Sequence, residues 1–128
     1  MIYLDTSAAI KALIREEESA EIRALFADGA ELISSRLLAV ELHAVADRRG
    51  LPATDVRALL ERVALVAISD EVAQRAIDIR SGLRTPDALH LATAVVLGPI
   101  VTEFLSFDDE LNAAALGHGI PLHTLDRR

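Results

Sequence analysis

Short apolar runs alternate with helical stretches along the whole of this 128-residue chain, and that alternation restricts the fold more than any other feature. Ile2–Leu4 and residues 31–34, 64–68 and 101–107 read as strands. Helical patterns run from Thr6 to about Phe26 with a break near residues 15–18, from a Ser34 or Ser35 cap to Arg49, and over residues 54–62, 70–81, 85–97 and 109–116. Asp28-Gly29, Gly50 with Pro52, Gly82 and Gly98-Pro99 supply the stops. Residues 121–125 add a candidate short edge strand. Strands that alternate with helices bury both faces of a parallel sheet, so the expected class is α/β. Without a linker, repeat or low-complexity segment, residues 1–128 form one domain.

At 52% hydrophobic but only 3% aromatic, the core has to be built from Ala, Leu, Val and Ile. The absence of cysteine excludes disulfides, thiolate metal sites and a cysteine nucleophile. The N-terminus MIYLDTSAAI has no basic region ahead of its apolar stretch and does not read as a signal peptide. The longest apolar stretch, residues 89–101, is interrupted by His90, Thr93, Gly98 and Pro99 and falls short of the roughly 20 residues a membrane span needs. A cytoplasmic protein is expected.

Four acids occupy positions that a plain surface role explains poorly. Asp5 follows the first strand and Asp108 the last, and open parallel sheets bind ligands beyond the carboxyl ends of their strands, at a topological switch point. Glu41 lies among Leu37, Val40, Ala44 and Val45, which share one apolar stripe at helical spacing. Asp87 follows Thr85-Pro86 in the first turn of the most apolar helix. Structural readings compete at each position. Asp5, Asp87 and Asp108 all suit helix starts, although Thr6 and Ser7 are available to cap in place of Asp5. Glu41 can reach solvent from the edge of a stripe.

Four carboxylates converging on one pocket repel each other by several kcal/mol unless a cation fills it. An all-oxygen donor set suits Mg²⁺ or Mn²⁺ rather than zinc or copper. The net charge of −7 is unfavourable for a nucleic-acid enzyme, but two divalent cations would bring it to −3. His90 reads as a hydrogen-bonded packing residue, and Glu16 to Glu18 as a solvated helix face. Scattered arginines are the candidates for gripping RNA: Arg36, Arg48, Arg49, Arg80 and Arg84.

IYLDTSA at residues 2–8, LLAVELHAV around Glu41, LRTPDALHLATAV at residues 83–95 and FLSFDDEL at residues 104–111 together resemble the PIN-domain family, in particular its VapC-type toxins of toxin–antitoxin pairs. The third segment is the most specific. The resemblance implies a Mg²⁺- or Mn²⁺-dependent endoribonuclease on a three-layer αβα sandwich with a central, mostly parallel sheet. It implies that Asp5, Glu41, Asp87 and Asp108 form the catalytic, metal-binding quartet, with Thr6, Ser7 and Ser106 as supporting hydroxyls. It also implies a homodimer neutralised by a cognate antitoxin protein, with RNA as substrate and no direct DNA binding without the antitoxin. Ser106 stands where threonine is commoner, and Pro86 precedes Asp87; neither removes a ligand.

Two other classes compete. A haloacid-dehalogenase-type phosphatase needs a second aspartate two residues after the first, where this chain has Ser7, and a late lysine, whereas Lys11 is the sole lysine. A receiver domain also wants the late lysine. A catalytically silent PIN-like scaffold would keep the fold without the chemistry.

Overall fold

The computed structural model describes the backbone of residues 1–127 and the side chains of residues 1–125. Four strands, β1 (Ile2–Leu4), β2 (Leu32–Ser35), β3 (Val63–Val66) and β4 (Glu103–Leu105), form one sheet in the order β3-β2-β1-β4. Every strand pairing is parallel, with Tyr3 beside both Ile33 and Phe104. The chain builds outward from β1 through β2 to β3, then returns across β1 to add β4. The crevice between the carboxyl ends of β1 and β4 is therefore the switch point.

Helices α1 (Thr6–Ala9), α2 (Ser19–Ala27), α3 (Leu37–Arg49), α4 (Ala53–Leu60), α5 (Asp70–Ile79), α6 (Thr85–Leu97) and α7 (Asp109–Gly117) complete the chain. Side chains alternate across a strand, and that alternation divides the core in two. Leu4, Leu32, Val63 and Leu105 point to one face and bury Ile22, Leu38, Leu42 and Val56 from α2, α3 and α4. Tyr3, Ile33 and Phe104 point to the other and bury Leu91, Ala94, Leu111 and Ala115 from α6 and α7. The result is the expected three-layer αβα sandwich.

Three local readings of the sequence change. The buried stripe of α3 is Leu38, Leu42 and Ala46, not the one through Val40, which is 63% exposed. Glu41 consequently flanks the buried row rather than lying within it. The candidate strand over residues 121–125 shrinks to a single parallel bridge, Phe104 to Leu122. There the Phe104 amide donates to the Pro121 carbonyl and His123 donates back to Phe104, after which the Leu125 amide turns onto His123 Nδ1 at 3.1 Å and a 3₁₀ turn begins.

The third change concerns Glu16 to Glu18, which form no helix. Lys11 is buried, its ammonium donating to the Glu17 carbonyl at 2.9 Å and lying 3.5 and 3.4 Å from the carboxylates of Glu16 and Glu18. Glu18 adopts φ +61°, a left-handed conformation that ends any helix entering it. The same ammonium sits 4.7 Å above the Phe107 ring and so ties this turn to the segment after β4. Lys11→Met keeps the apolar stem and removes the charge-assisted contacts. It is expected to destabilise the fold by about 1–3 kcal/mol in urea unfolding, and unchanged stability would contradict the clasp.

Candidate active site

Asp5 stands one residue past β1, where its amide donates to the Leu105 carbonyl and keeps the ends of β1 and β4 together. Its carboxylate is almost fully buried. Oδ2 accepts from Ser7 Oγ at 2.7 Å, Ser106 Oγ at 3.0 Å and the Ser7 amide at 3.3 Å. The two hydroxyls in turn accept from the backbone after β4, Phe107 N–H to Ser7 Oγ and Asp108 N–H to Ser106 Oγ. Asp5 is itself the N-cap of α1, contrary to the expectation that Thr6 or Ser7 would cap. A cap must precede the first helical residue, and Thr6 is already that residue.

Glu41, in the second turn of α3, reaches across to α1 and α6. Its Oε1 accepts from Thr6 Oγ1 at 2.7 Å and from His90 Nε2 at 2.6 Å. Burial pushes its pKa up, but the hydrogen bonds from His90 and Thr6, with the charges of His90 and Arg84, outweigh burial and hold it below the usual glutamate range. Asp87 is pushed the other way, first by burial and then by the negative charges of Asp108 and Asp5. Asp108 caps α7 through Oδ1, which accepts from the Leu111 amide at 2.9 Å.

In each of the four acids these hydrogen bonds fall on a single oxygen. Asp5 Oδ1, Glu41 Oε2, Asp87 Oδ1 and Asp108 Oδ2 stand outside them. Capping and a site role therefore do not exclude each other at Asp5 and Asp108, since one oxygen caps and the other stays available. No three of the described His, Asp and Glu side chains converge tightly enough to cage an ion unaided. The donor set fits a cation such as Mg²⁺, which is commonly held by one or two carboxylates with waters completing its shell.

Arg84 is the one arginine among the five candidates that reaches the acids. Its guanidinium is solvent-exposed, lies 3.5 Å from Asp87 Oδ2 and acts electrostatically on Glu41. Arg36 instead lines a cleft of about 470 Å³ with Val40 and His43, away from the quartet. Arg48 and Arg49 close α3 some 10 Å beyond Glu41, at about 1.5 Å of rise per residue. Arg80 ends α5 in a left-handed conformation.

Two residues join the site that composition and spacing did not assign to it. His90 is hydrogen-bonded and fully buried, as expected of a packing residue, but its partners are Glu41 and, through Nδ1 at 2.8 Å, the Tyr3 hydroxyl. It lies one helical turn after Asp87, a spacing that puts both on one side of α6. Tyr3 is buried against Phe104, their rings parallel at 5.2 Å, and burial raises its pKa so that it keeps its proton.

Residues 2–128 match the PIN-domain profile. Ribonuclease VapC47 of Mycobacterium tuberculosis is 37% identical over 118 residues, 87% of each protein. Ribonuclease VapC46 of the same species is 33% identical over 120 residues, 89% of each. Among solved structures, a toxin–antitoxin complex from Klebsiella pneumoniae superposes with TM-score 0.66 at 24% identity, over 84% of this chain and 85% of its own. Mycobacterium tuberculosis VapC20, described as a sarcin–ricin loop cleaving toxin, gives 0.67 at 19% identity over 89% and 95%. At those identities the structures speak for the fold alone. With a profile match across nearly its full length and relatives this similar over most of theirs, the chain belongs to the PIN-domain family.

Proposed function

We propose that this protein is the endoribonuclease toxin of a toxin–antitoxin pair, hydrolysing RNA phosphodiester bonds with Mg²⁺ or Mn²⁺ held by Asp5, Glu41, Asp87 and Asp108. The observation that carries the reading is the grouping of Asp87 with Asp108 and Asp5, close enough for their negative charges to raise its pKa, with the exposed Arg84 3.5 Å away as the counter-charge. The relatives named ribonuclease support the substrate class. The toxin–antitoxin complex from Klebsiella pneumoniae that shares this fold agrees with a protein inhibitor. A cleft of about 450 Å³ between α2 and α4, lined by Leu13, Phe26 and Leu59 together with Arg23, Asp55 and Arg62, is the candidate seat for such a partner. A homodimer and a cytoplasmic location complete the reading, on the strength of the family resemblance.

Asp5 and Asp87 would hold the cation directly, with Asp108 and Glu41 acting through water. When bound, it would lower the pKa of a coordinated water and stabilise charge on the phosphate. Ser7 and Ser106 aim Asp5 by donating to its Oδ2. Glu41 is held ionised, and its second oxygen accepts a hydrogen bond from the attacking water and turns the water's lone pair toward phosphorus. The water oxygen bonds to phosphorus as the bond to O3′ breaks; the attacking water gives up one proton to solvent and O3′ takes one from solvent, leaving a 5′-phosphate and a 3′-hydroxyl. Arg84, on the rim, steadies the phosphate charge. The overall acidity of the chain makes that local cation more important for binding a polyanion.

Asp87→Asn is expected to lower metal-dependent cleavage of RNA by roughly 100-fold or more, the upper end of what disturbing metal-site partners costs. Wild-type rates from this variant would end the assignment. The same substitution should raise the melting temperature of the metal-free protein. The folded-state pKa of Asp87 lies above its unfolded value, so its ionised form costs stability at neutral pH. The gain should fade as pH falls through the folded pKa and vanish below the unfolded value of 3.8. A melting temperature lower than wild type at pH 7 would contradict the repulsion. Titrating Mn²⁺ into the wild-type protein should release or absorb heat at a site that Asp87→Asn weakens, whereas a silent scaffold gives neither heat nor cleavage.

A further inference from the structure

His90 is a fully buried imidazole whose two nitrogens both have partners, and the one facing the acids meets two of them. Nε2 lies 2.6 Å from Glu41 Oε1 and 3.7 Å from Asp5 Oδ1, while Nδ1 lies 2.8 Å from the Tyr3 hydroxyl. An ionised carboxylate only accepts hydrogen bonds, so Nε2 carries a proton. In the neutral ring Nδ1 then accepts, and the Tyr3 O–H donates to it. The edge of the Tyr3 ring meets that of His90 at 5.9 Å and 77°, and the flat stack of Tyr3 on Phe104 fixes the far side. The chain Phe104, Tyr3, His90, Glu41 thus runs from the sheet core to the acids through groups with little rotational freedom.

We propose that His90 is a positioning residue for the quartet, its single Nε2–H donated to Glu41 with Asp5 Oδ1 3.7 Å away, and its tautomer required by Glu41 and matched by the Tyr3 hydroxyl on Nδ1. This rests on the proposed nuclease reading and adds to it the device that organises the acids before a cation arrives. The need for one is visible in the geometry. Glu41 is on the flank of α3 with a long, flexible side chain, and its other hydrogen bond comes from Thr6. Without the imidazole, Glu41 is free to swing to solvent, leaving Oε2 unaimed. Groups that orient metal-site carboxylates typically contribute 10–100-fold to affinity or activity, so the effect is large enough to measure.

The test uses two substitutions with opposite reach. In His90→Gln the side-chain amide N–H falls near the position of Nε2, whereas in His90→Asn the shorter side chain leaves it near Nδ1. His90→Asn is expected to weaken Mn²⁺ binding by about 10–100-fold in calorimetry and to lower kcat on RNA by a similar factor. KM for RNA should stay within about twofold, because no contact with the substrate is lost. His90→Gln should recover most of both losses. Tyr3→Phe, which keeps the stack on Phe104, should leave the fold and the Nε2–H tautomer intact and shift only the Nδ1 resonance in ¹⁵N spectra of the metal-free protein, because the acceptor nitrogen loses its donor. His90→Asn that binds Mn²⁺ and turns over like wild type, with only its melting temperature lowered, would reduce His90 to packing. A wild-type spectrum with Nδ1 protonated and Nε2 bare would overturn the proposal even if His90→Asn does not fold. A wild-type protein that shows the expected tautomer but binds no Mn²⁺ fails the nuclease reading, and the positioning role falls with it.

Discussion

An ionisable side chain almost completely withdrawn from solvent at the end of a central strand is the constraint on which this structure turns. Burying a carboxylate is costly unless its charge is met by donors. Asp5 meets that cost on one oxygen only, with Ser7 and Ser106. Those two serines are held by backbone amides of the segment after β4, so the same contacts that orient Asp5 also close the switch-point crevice. Removing the hydroxyls would free both the carboxylate and the loop.

The other acids are treated unequally around that fixed point. Glu41 accepts from two donors, which hold its pKa below the usual range, whereas Asp87 sits among like charges with one solvent-exposed arginine beside it. Environments that push neighbouring carboxylates in opposite directions divide labour between them. Glu41 suits holding and orienting a water, and Asp87 suits offering an oxygen to whatever relieves its repulsion. Farther out, Lys11 connects the Glu16–Glu18 turn to Phe107, next to both Ser106 and Asp108. The acidic turn thereby becomes part of the frame behind the site.

The architecture was legible because its signals are local. Apolar runs, capping residues and the Gly50 and Gly98 stops each act within a few positions, and strand boundaries fell within two residues of the expected ones, the last strand being shortened at both ends. Asp5 and Asp108 were legible for the same reason, as acids directly beyond strand ends. What escaped depends on partners far apart in the chain. The bond from His90 to Glu41 spans 49 residues and that from His90 to Tyr3 spans 87, and no periodicity encodes either. On α3 the apolar residues nearly encircle the helix, so the pattern did not separate the row through Leu38 and Leu42 from the one through Val40. Glu16 to Glu18 misled because their counter-charge, Lys11, comes from the preceding helical segment.

The most direct test of the central claim is the anomalous scattering of Mn²⁺ in crystals of the protein. The account requires density beside Asp5 Oδ1 and Asp87 Oδ1, within water-bridged reach of Asp108 and Glu41. Manganese bound only elsewhere on the surface, with the crevice between β1 and β4 holding ordinary water at saturating metal, would contradict it.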